Sequence, residues 1–346
     1  MQLTTVIDIP KSRFKIKPED RVLFLGSCFA DSVGEKFVRG GFEALVNPFG
    51  TLYNPMSIAE LLLRCMDEAS YTDTSADIFQ SEDGIWHSWM HHSRFSSPVR
   101  DELISNINEA YRLVGNFLAT GNVLVITFGT SIIYRLKEDN RLVANCHKQL
   151  DTLFTRERLS VDSIVDKWNE VIDKLHSVNN NLKIIFTVSP IRHKRDGMHI
   201  NNISKGILLQ SVDEIINTYN LLTDVNKPIE KPVNRVDNPI ISVDSSVDNT
   251  NVINTSTNVI SKKNGVINTS VDNSIPQYFP SYEIMLDELR DYRFYADDMI
   301  HPSPLAVEYI WQRFQDTYFD KQTQEYVRIK NKEWARSQHR TIVGSE

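Results

Sequence analysis

Near the end of the chain stand Asp298-Met299-Ile300-His301-Pro302-Ser303, an acid three residues ahead of a histidine. Pro302 disfavours helix at His301, so the stretch reads as a turn in which the carboxylate reaches Nδ1 of the imidazole and fixes its tautomer. Such a pair needs a nucleophile. Gly26-Ser27-Cys28-Phe29-Ala30 offers two, since Ser27 or Cys28 on a strand-to-helix turn requires only Nε2 of His301 as base. A cysteine at a helix N-terminus beside a histidine attacks as thiolate. The other readings have Ser27 Oγ attack, or leave Cys28 as a small buried residue with no covalent chemistry.

Other groups could touch a substrate. Arg192 and His193 follow Ser189-Pro190 at the end of an apolar run and suit either a substrate contact or a structural ion pair. Asn145-Cys146-His147-Lys148 places four functional side chains in one loop, which is either exposed and polar or able to bind an anionic substrate through Lys148. His87 and His91 would share a helical face and invite a metal. No glutamate follows His87, however, and Gly84 and Ser93 do not insist on a helix, so packing is expected there, with substrate contact from Trp86 and His87 as the alternative, and no metal and no cofactor.

The elements that must position these residues alternate. Val22 to Leu25 is a short apolar run ending in Gly26, Asn122 to Phe128 is an apolar, β-branched run that suits a strand buried on both faces, and Leu182 to Val188 reads as the next buried strand. Helical spacing follows over Ala30 to Val38, Leu159 to Leu175 and Ser204 to Leu222, and over Pro304 to Tyr318, with Ser303 as N-cap. Opposite charges three and four apart predict a salt-bridged helix within Tyr278 to Tyr295. The alternation predicts an α/β fold, a three-layer α/β/α sandwich of flavodoxin-like type with a parallel sheet of about five strands. One domain spans 1–346, with an accessory region over 47–100. The stretch 226–275 is dominated by Asn, Ser, Thr, Asp, Val and Ile, has no aromatic and no leucine, and reads as a low-complexity insertion.

Composition narrows the function. The 346 residues are 41% hydrophobic and 24% charged, as in globular domains, and the net charge of −7 argues against nucleic acid or an anionic membrane as partner. No apolar run approaches the roughly 18 residues of a membrane span, and the first residues lack a leader pattern. Three scattered cysteines suit a reducing compartment, and a cytoplasmic location is expected.

The chain resembles the GSCFA family, whose naming residues stand at 26 to 30, and through it the wider SGNH/GDSL hydrolase superfamily. Further stretches carry the likeness: NPFGTLYNP (Asn47 to Pro55), ITFGTS (Ile126 to Ser131), NCHK (Asn145 to Lys148), SPIRH (Ser189 to His193) and YFPSYEIMLDELRDYRFYADDMIHPS (Tyr278 to Ser303). The resemblance implies hydrolysis of an ester or related acyl bond, with O-acyl groups on a small molecule or carbohydrate as substrates and a Cys/Ser-His-Asp triad. Laid over the superfamily's Gly-Asp-Ser block, the nucleophile position falls on Cys28. Its Gly-x-Asn block falls on Gly129-Thr130-Ser131, so Ser131 replaces the oxyanion-binding asparagine, and the second-block glycine is Gly50. Losing one oxyanion donor costs about 2.7 to 4 kcal/mol of transition-state stabilisation. The NCHK loop is implied to lie near the site, where Asn145 could supply the missing donor and His147 and Lys148 could meet substrate. An acyltransferase on the same triad and a non-catalytic binding protein of the same fold are the alternatives.

Overall fold

The computed structural model describes residues 4–225 and 275–342, so the insertion expected over 226–275 lies outside the described residues except for Ile275. The chain opens with β1 (Val22–Gly26), α1 (Cys28–Arg39), β2 (Ala44–Val46) and α2 (Pro55–Met66), then a hairpin of β3 (Ile78–Gln80) and β4 (Trp86–Ser88). It continues through α3 (Arg100–Thr120), β5 (Val123–Phe128), a small antiparallel sheet of β6 (Ile132–Leu136), β7 (Leu142–Val143) and β8 (Phe154–Arg158), and α4 (Val161–Val178). After β9 (Lys183–Val188) and α5 (Met198–Val225) come β10 (Gln277–Tyr278), the short α6 (Ser281–Glu283), α7 (Pro304–Tyr318) and α8 (Lys321–Ile342).

The central sheet has five parallel strands in the order β10-β9-β5-β1-β2, as expected. Successive strand residues face opposite layers. Leu23 and Leu25 of β1 and Leu124 and Ile126 of β5 pack with α2, α3, α4 and α5, whereas Val22, Phe24, Val123 and Val125 pack with α1 and α7. Two hydrophobic cores therefore share one sheet, which makes the three-layer sandwich. The stretch 47–100 contributes α2 to the first of these layers through Ile58, Leu61 and Leu62, and adds the β3–β4 hairpin beside it.

Helix starts follow their caps. Ser303 Oγ accepts from Ala306 N (3.3 Å) with Pro304 at the first helical position, and Ser160 Oγ accepts from Ser163 N (3.2 Å) at the head of α4. The continuous helix expected within Tyr278 to Tyr295 does not form. The turn of α6 widens into a π turn over Ile284–Glu288, ends at Leu289 and gives way to a 3₁₀ turn at Tyr292–Phe294. The charges that suggested the helix pair elsewhere: Glu288 with Arg313 of α7 (3.2 Å), and Asp291 with Arg293 inside one turn (2.8 Å). No helix among the described residues is long and apolar enough to cross a membrane.

Phe37 is the hub of the second core, with ring centroids 4.9 Å from Phe24, 4.8 Å from Phe42 and 5.1 Å from Trp311. Phe37→Ala should lower the unfolding free energy by about 3 to 5 kcal/mol in urea titrations. A loss below about 1 kcal/mol would mean that this layer is not packed as described.

Candidate functional site

The strand order runs outward from β1 in both directions, to β2 on one side and to β5, β9 and β10 on the other. The carboxyl ends of β1 and β5 therefore flank the switch point at which doubly wound sheets open a crevice. Gly26 ends β1 there at φ +139°, and a β-carbon on it would fall 2.1 Å from the Thr127 carbonyl oxygen of β5. Only glycine fits that approach. Ser27 N then donates to Thr127 O (3.2 Å), and Ser27 caps α1 by accepting from Phe29 N (3.3 Å).

The two candidate nucleophiles part at this cap. Ser27 is 1% exposed, with its Oγ 2.9 Å from Ser189 Oγ at the end of β9. Cys28 is half-buried at the first helical position, so its backbone N–H has no acceptor within α1. Its Sγ lies 3.6 Å from the Tyr53 hydroxyl. Partial burial, with Cys28 and Asp31 nearby, holds the Tyr53 phenol well above its ordinary pKa, so it remains a donor. Beneath them the buried Asn47 accepts from Gly26 N (2.9 Å) and donates to Asp31 (2.7 Å), and desolvation raises the Asp31 carboxyl.

Asp298 and His301 meet as their spacing suggested. Asp298 Oδ2 accepts from His301 Nδ1 (2.6 Å), while Oδ1 accepts from the backbone N–H groups of Ile300 (2.8 Å) and His301 (2.9 Å). Those bonds hold the Asp298 carboxyl down at about 2. The loop is closed at its base by a bridge between Tyr295 and Pro302. The loop is tied to the end of β9 where Arg192 N donates to Ile300 O (3.3 Å); the next residue, His193, meets the Tyr53 ring edge-on at 5.7 Å, and Tyr53 meets Cys28. Among the described residues neither Ser27 Oγ nor Cys28 Sγ is hydrogen-bonded to His301. Arg192 stacks over Tyr295, and its backbone N–H donates to Ile300 O (3.3 Å); of the two readings offered for it, the structural ion pair is not found among the described residues.

The expected oxyanion donors are already committed. Gly50 N donates to Asn47 O (2.7 Å) in a turn at φ +80°, which lets His92 pack against it where a β-carbon would clash. Ser131 is fully buried, and its N–H and hydroxyl both donate to Ser204 Oγ (2.7 and 3.1 Å). The NCHK loop folds onto the β4 segment. Asn145 Oδ1 accepts from His147 N (3.0 Å), its Nδ2 donates to Ser93 Oγ (3.3 Å), and His147 Nε2 donates to Ser88 O (2.7 Å). Asn145 and His147 thus hold that loop together, and Lys148 is exposed. His87 lies on β4 and His91 beyond a turn, so they share no helical face; among the described residues no group of His, Cys, Asp or Glu is placed to hold a metal.

Three groups escaped sequence reasoning. Tyr53 stood inside a matched motif without a role, and Ser189 only marked a strand end. Lys205 of α5 is 1% exposed and donates from Nζ to Gly129 O and Ser189 O (2.7 Å each), tying the ends of β5 and β9 together; burial pulls its pKa to about 7. Lys205 falls in register with Leu208, Val212, Ile215 and Tyr219, so a lysine on the apolar stripe of α5 was a visible signal.

These features define an α/β sandwich that gathers a thiol, a phenol and an Asp-His pair at the carboxyl edge of its sheet. The GSCFA family model matches residues 21–223 and 252–314, and the chain belongs to that family. No curated protein and no solved structure matches it.

Burial holds His91, His147 and His193 at about 3, 4 and 4. An unfolded imidazole titrates near about 6.5, so below that pH the unfolded chain binds protons that the folded chain refuses, and stability falls as pH drops toward about 4. Urea midpoints should therefore decrease between about pH 7 and about pH 5, and His91→Gln should lose about 1 to 2 kcal/mol less over that interval. Equal pH slopes for the two proteins would refute a neutral buried His91. Comparing slopes cancels the raised carboxyls of Asp31 and Glu283, which act in the opposite sense.

Proposed function

We propose that the protein hydrolyses an ester or related acyl bond, with Cys28 as nucleophile, His301 as base and Asp298 as the group that orients it. The observation that carries this reading is the 2.6 Å bond between Asp298 and His301 Nδ1, which leaves Nε2 as the proton-accepting nitrogen of a loop bonded at Ile300 to Arg192, whose neighbour His193 meets the Tyr53 ring beside the thiol. Cys28 is preferred to Ser27 because Ser27 Oγ is buried against Ser189 and caps α1. The Asp-x-x-His block also supports membership of the SGNH/GDSL superfamily.

In this mechanism His301 Nε2 takes the thiol proton as Cys28 Sγ attacks the acyl carbon. The tetrahedral oxyanion is received by the Cys28 backbone N–H, at the positive end of α1, and by the Tyr53 hydroxyl, in place of Gly50 and Ser131. Collapse expels the alcohol, which takes the proton back from Nε2, and leaves a thioester. Water, deprotonated by Nε2, then attacks the thioester and releases the acid and the thiol. Substrates would be small-molecule or carbohydrate acyl esters. All three cysteines are free, which supports a reducing compartment such as the cytoplasm.

A second reading, a binding protein that has lost turnover, is favoured by the committed state of Gly50 N and Ser131 Oγ. A panel of short-chain aryl esters and acetylated sugars decides between them. Cys28→Ala and His301→Ala should abolish turnover, Asp298→Asn should lower kcat about 10⁴-fold, and Tyr53→Phe should lower it about 10²- to 10³-fold. Equal rates for all variants, or no turnover by any, would refute the triad. Product analysis with and without an acceptor alcohol separates hydrolysis from acyl transfer.

A further inference from the structure

Arg192 leaves the carboxyl end of β9 and is pinned to the His301 loop by its backbone bond to Ile300 O (3.3 Å). Its guanidinium lies 4.0 Å over the ring of Tyr295 and 5.4 Å from that of Tyr292. Tyr295 is 8% exposed and fixed by the bridge to Pro302, so the platform under the guanidinium is rigid.

What the guanidinium lacks is a counter-charge. Among the described residues no carboxylate lies within ion-pair distance of Arg192, although its neighbours are paired: Arg195 with Asp151 (3.0 Å), Arg293 with Asp291 (2.8 Å), and Arg156 with Asp196. The nearby Asp298 carboxylate is taken up by its three bonds within the loop. Stacking on Tyr295 and hydrogen bonding to the Tyr292 and Tyr295 side chains hold the cation in place without neutralising it. An oriented, uncompensated guanidinium beside the Asp-His pair, in a chain of net charge −7, is a receptor for a planar oxyanion.

We infer that Arg192 forms a carboxylate-binding subsite of the Cys28 site, so that the ester substrates are ones that also carry a carboxylate. The substrate class rests on the hydrolytic reading above; the subsite itself does not. A planar guanidinium grips a carboxylate through two parallel N–H bonds, which selects an anionic ester over its neutral isostere and sets its orientation.

Two alkylating agents test the subsite without turnover. Iodoacetate and iodoacetamide react with a thiolate in the same way but differ by a carboxylate. The ratio of their second-order rates at Cys28, followed by peptide mapping, should exceed the ratio for N-acetylcysteine by about tenfold. Arg192→Met should remove most of that preference, Arg192→Lys should retain part of it, and high salt should weaken it. An unchanged ratio in Arg192→Met overturns the subsite. Should that variant fail to fold, a wild-type ratio equal to that of N-acetylcysteine, with no protection of Cys28 by glutarate, overturns it equally. Mono-4-nitrophenyl glutarate against 4-nitrophenyl butyrate, and 4-acetoxybenzoate against 4-acetoxyanisole, then report whether the carboxylate belongs to the acyl or the alcohol part. Iodoacetate preference without turnover of any ester would refute hydrolysis and leave the subsite standing.

Discussion

The candidate site depends on a gap that no β-carbon fits. Where β1 ends, Gly26 passes so close to the Thr127 carbonyl that any side chain would collide with it, and φ +139° is open only to glycine. From that passage the next contacts follow: Ser27 N reaches Thr127 O, Ser27 caps α1, and Cys28 emerges on the first turn of the helix rather than inside the sheet. Asn47 completes the arrangement by accepting from Gly26 N while holding Asp31. A wider separation of β1 and β5 would free Gly26 and lose the cap together.

A second constraint acts from below. Lys205 carries an amine into the apolar layer between α5 and the sheet, where it meets two carbonyl oxygens and no carboxylate among the described residues. A buried amine without a counter-ion is costly as a cation, which is why its pKa falls. The two carbonyls it joins belong to Gly129 and Ser189, and Ser189 in turn holds Ser27. The floor of the crevice is thus a hydrogen-bonded strut running from α5 through two strand ends to the cap of α1.

Local pattern made much of this legible. Apolar runs announced β1, β5 and β9, and Ser303-Pro304 announced the start of α7 to the residue. The Asp298–His301 bond was legible too, because three residues and a proline confine it to one turn. Pairings across long stretches of chain were not. Ser131 looked free because Ser204, which binds it, lies far along the chain on α5, and Gly50 looked free because nothing in NPFG announces that its N–H turns back to Asn47. Alternating charges over 278–295 resembled a helix, but Glu288 is drawn to Arg313 and the backbone turns at Leu289. Lys205 shows both sides, since its place on the apolar stripe could be read from helical register whereas its carbonyl partners could not.

The placement of the Asp298–His301 loop also orders events in time. Synthesis runs from the N-terminus, and β1, β5 and β9, the centre of the sheet, emerge before β10 and the loop that follows it. The nascent chain therefore carries its thiol, and can pair the strands on either side of it, while His301 has yet to be made. Cys28 is thus made long before the Asp298–His301 pair, whose loop can join it at the edge of the sheet only after β9 and β10 have emerged.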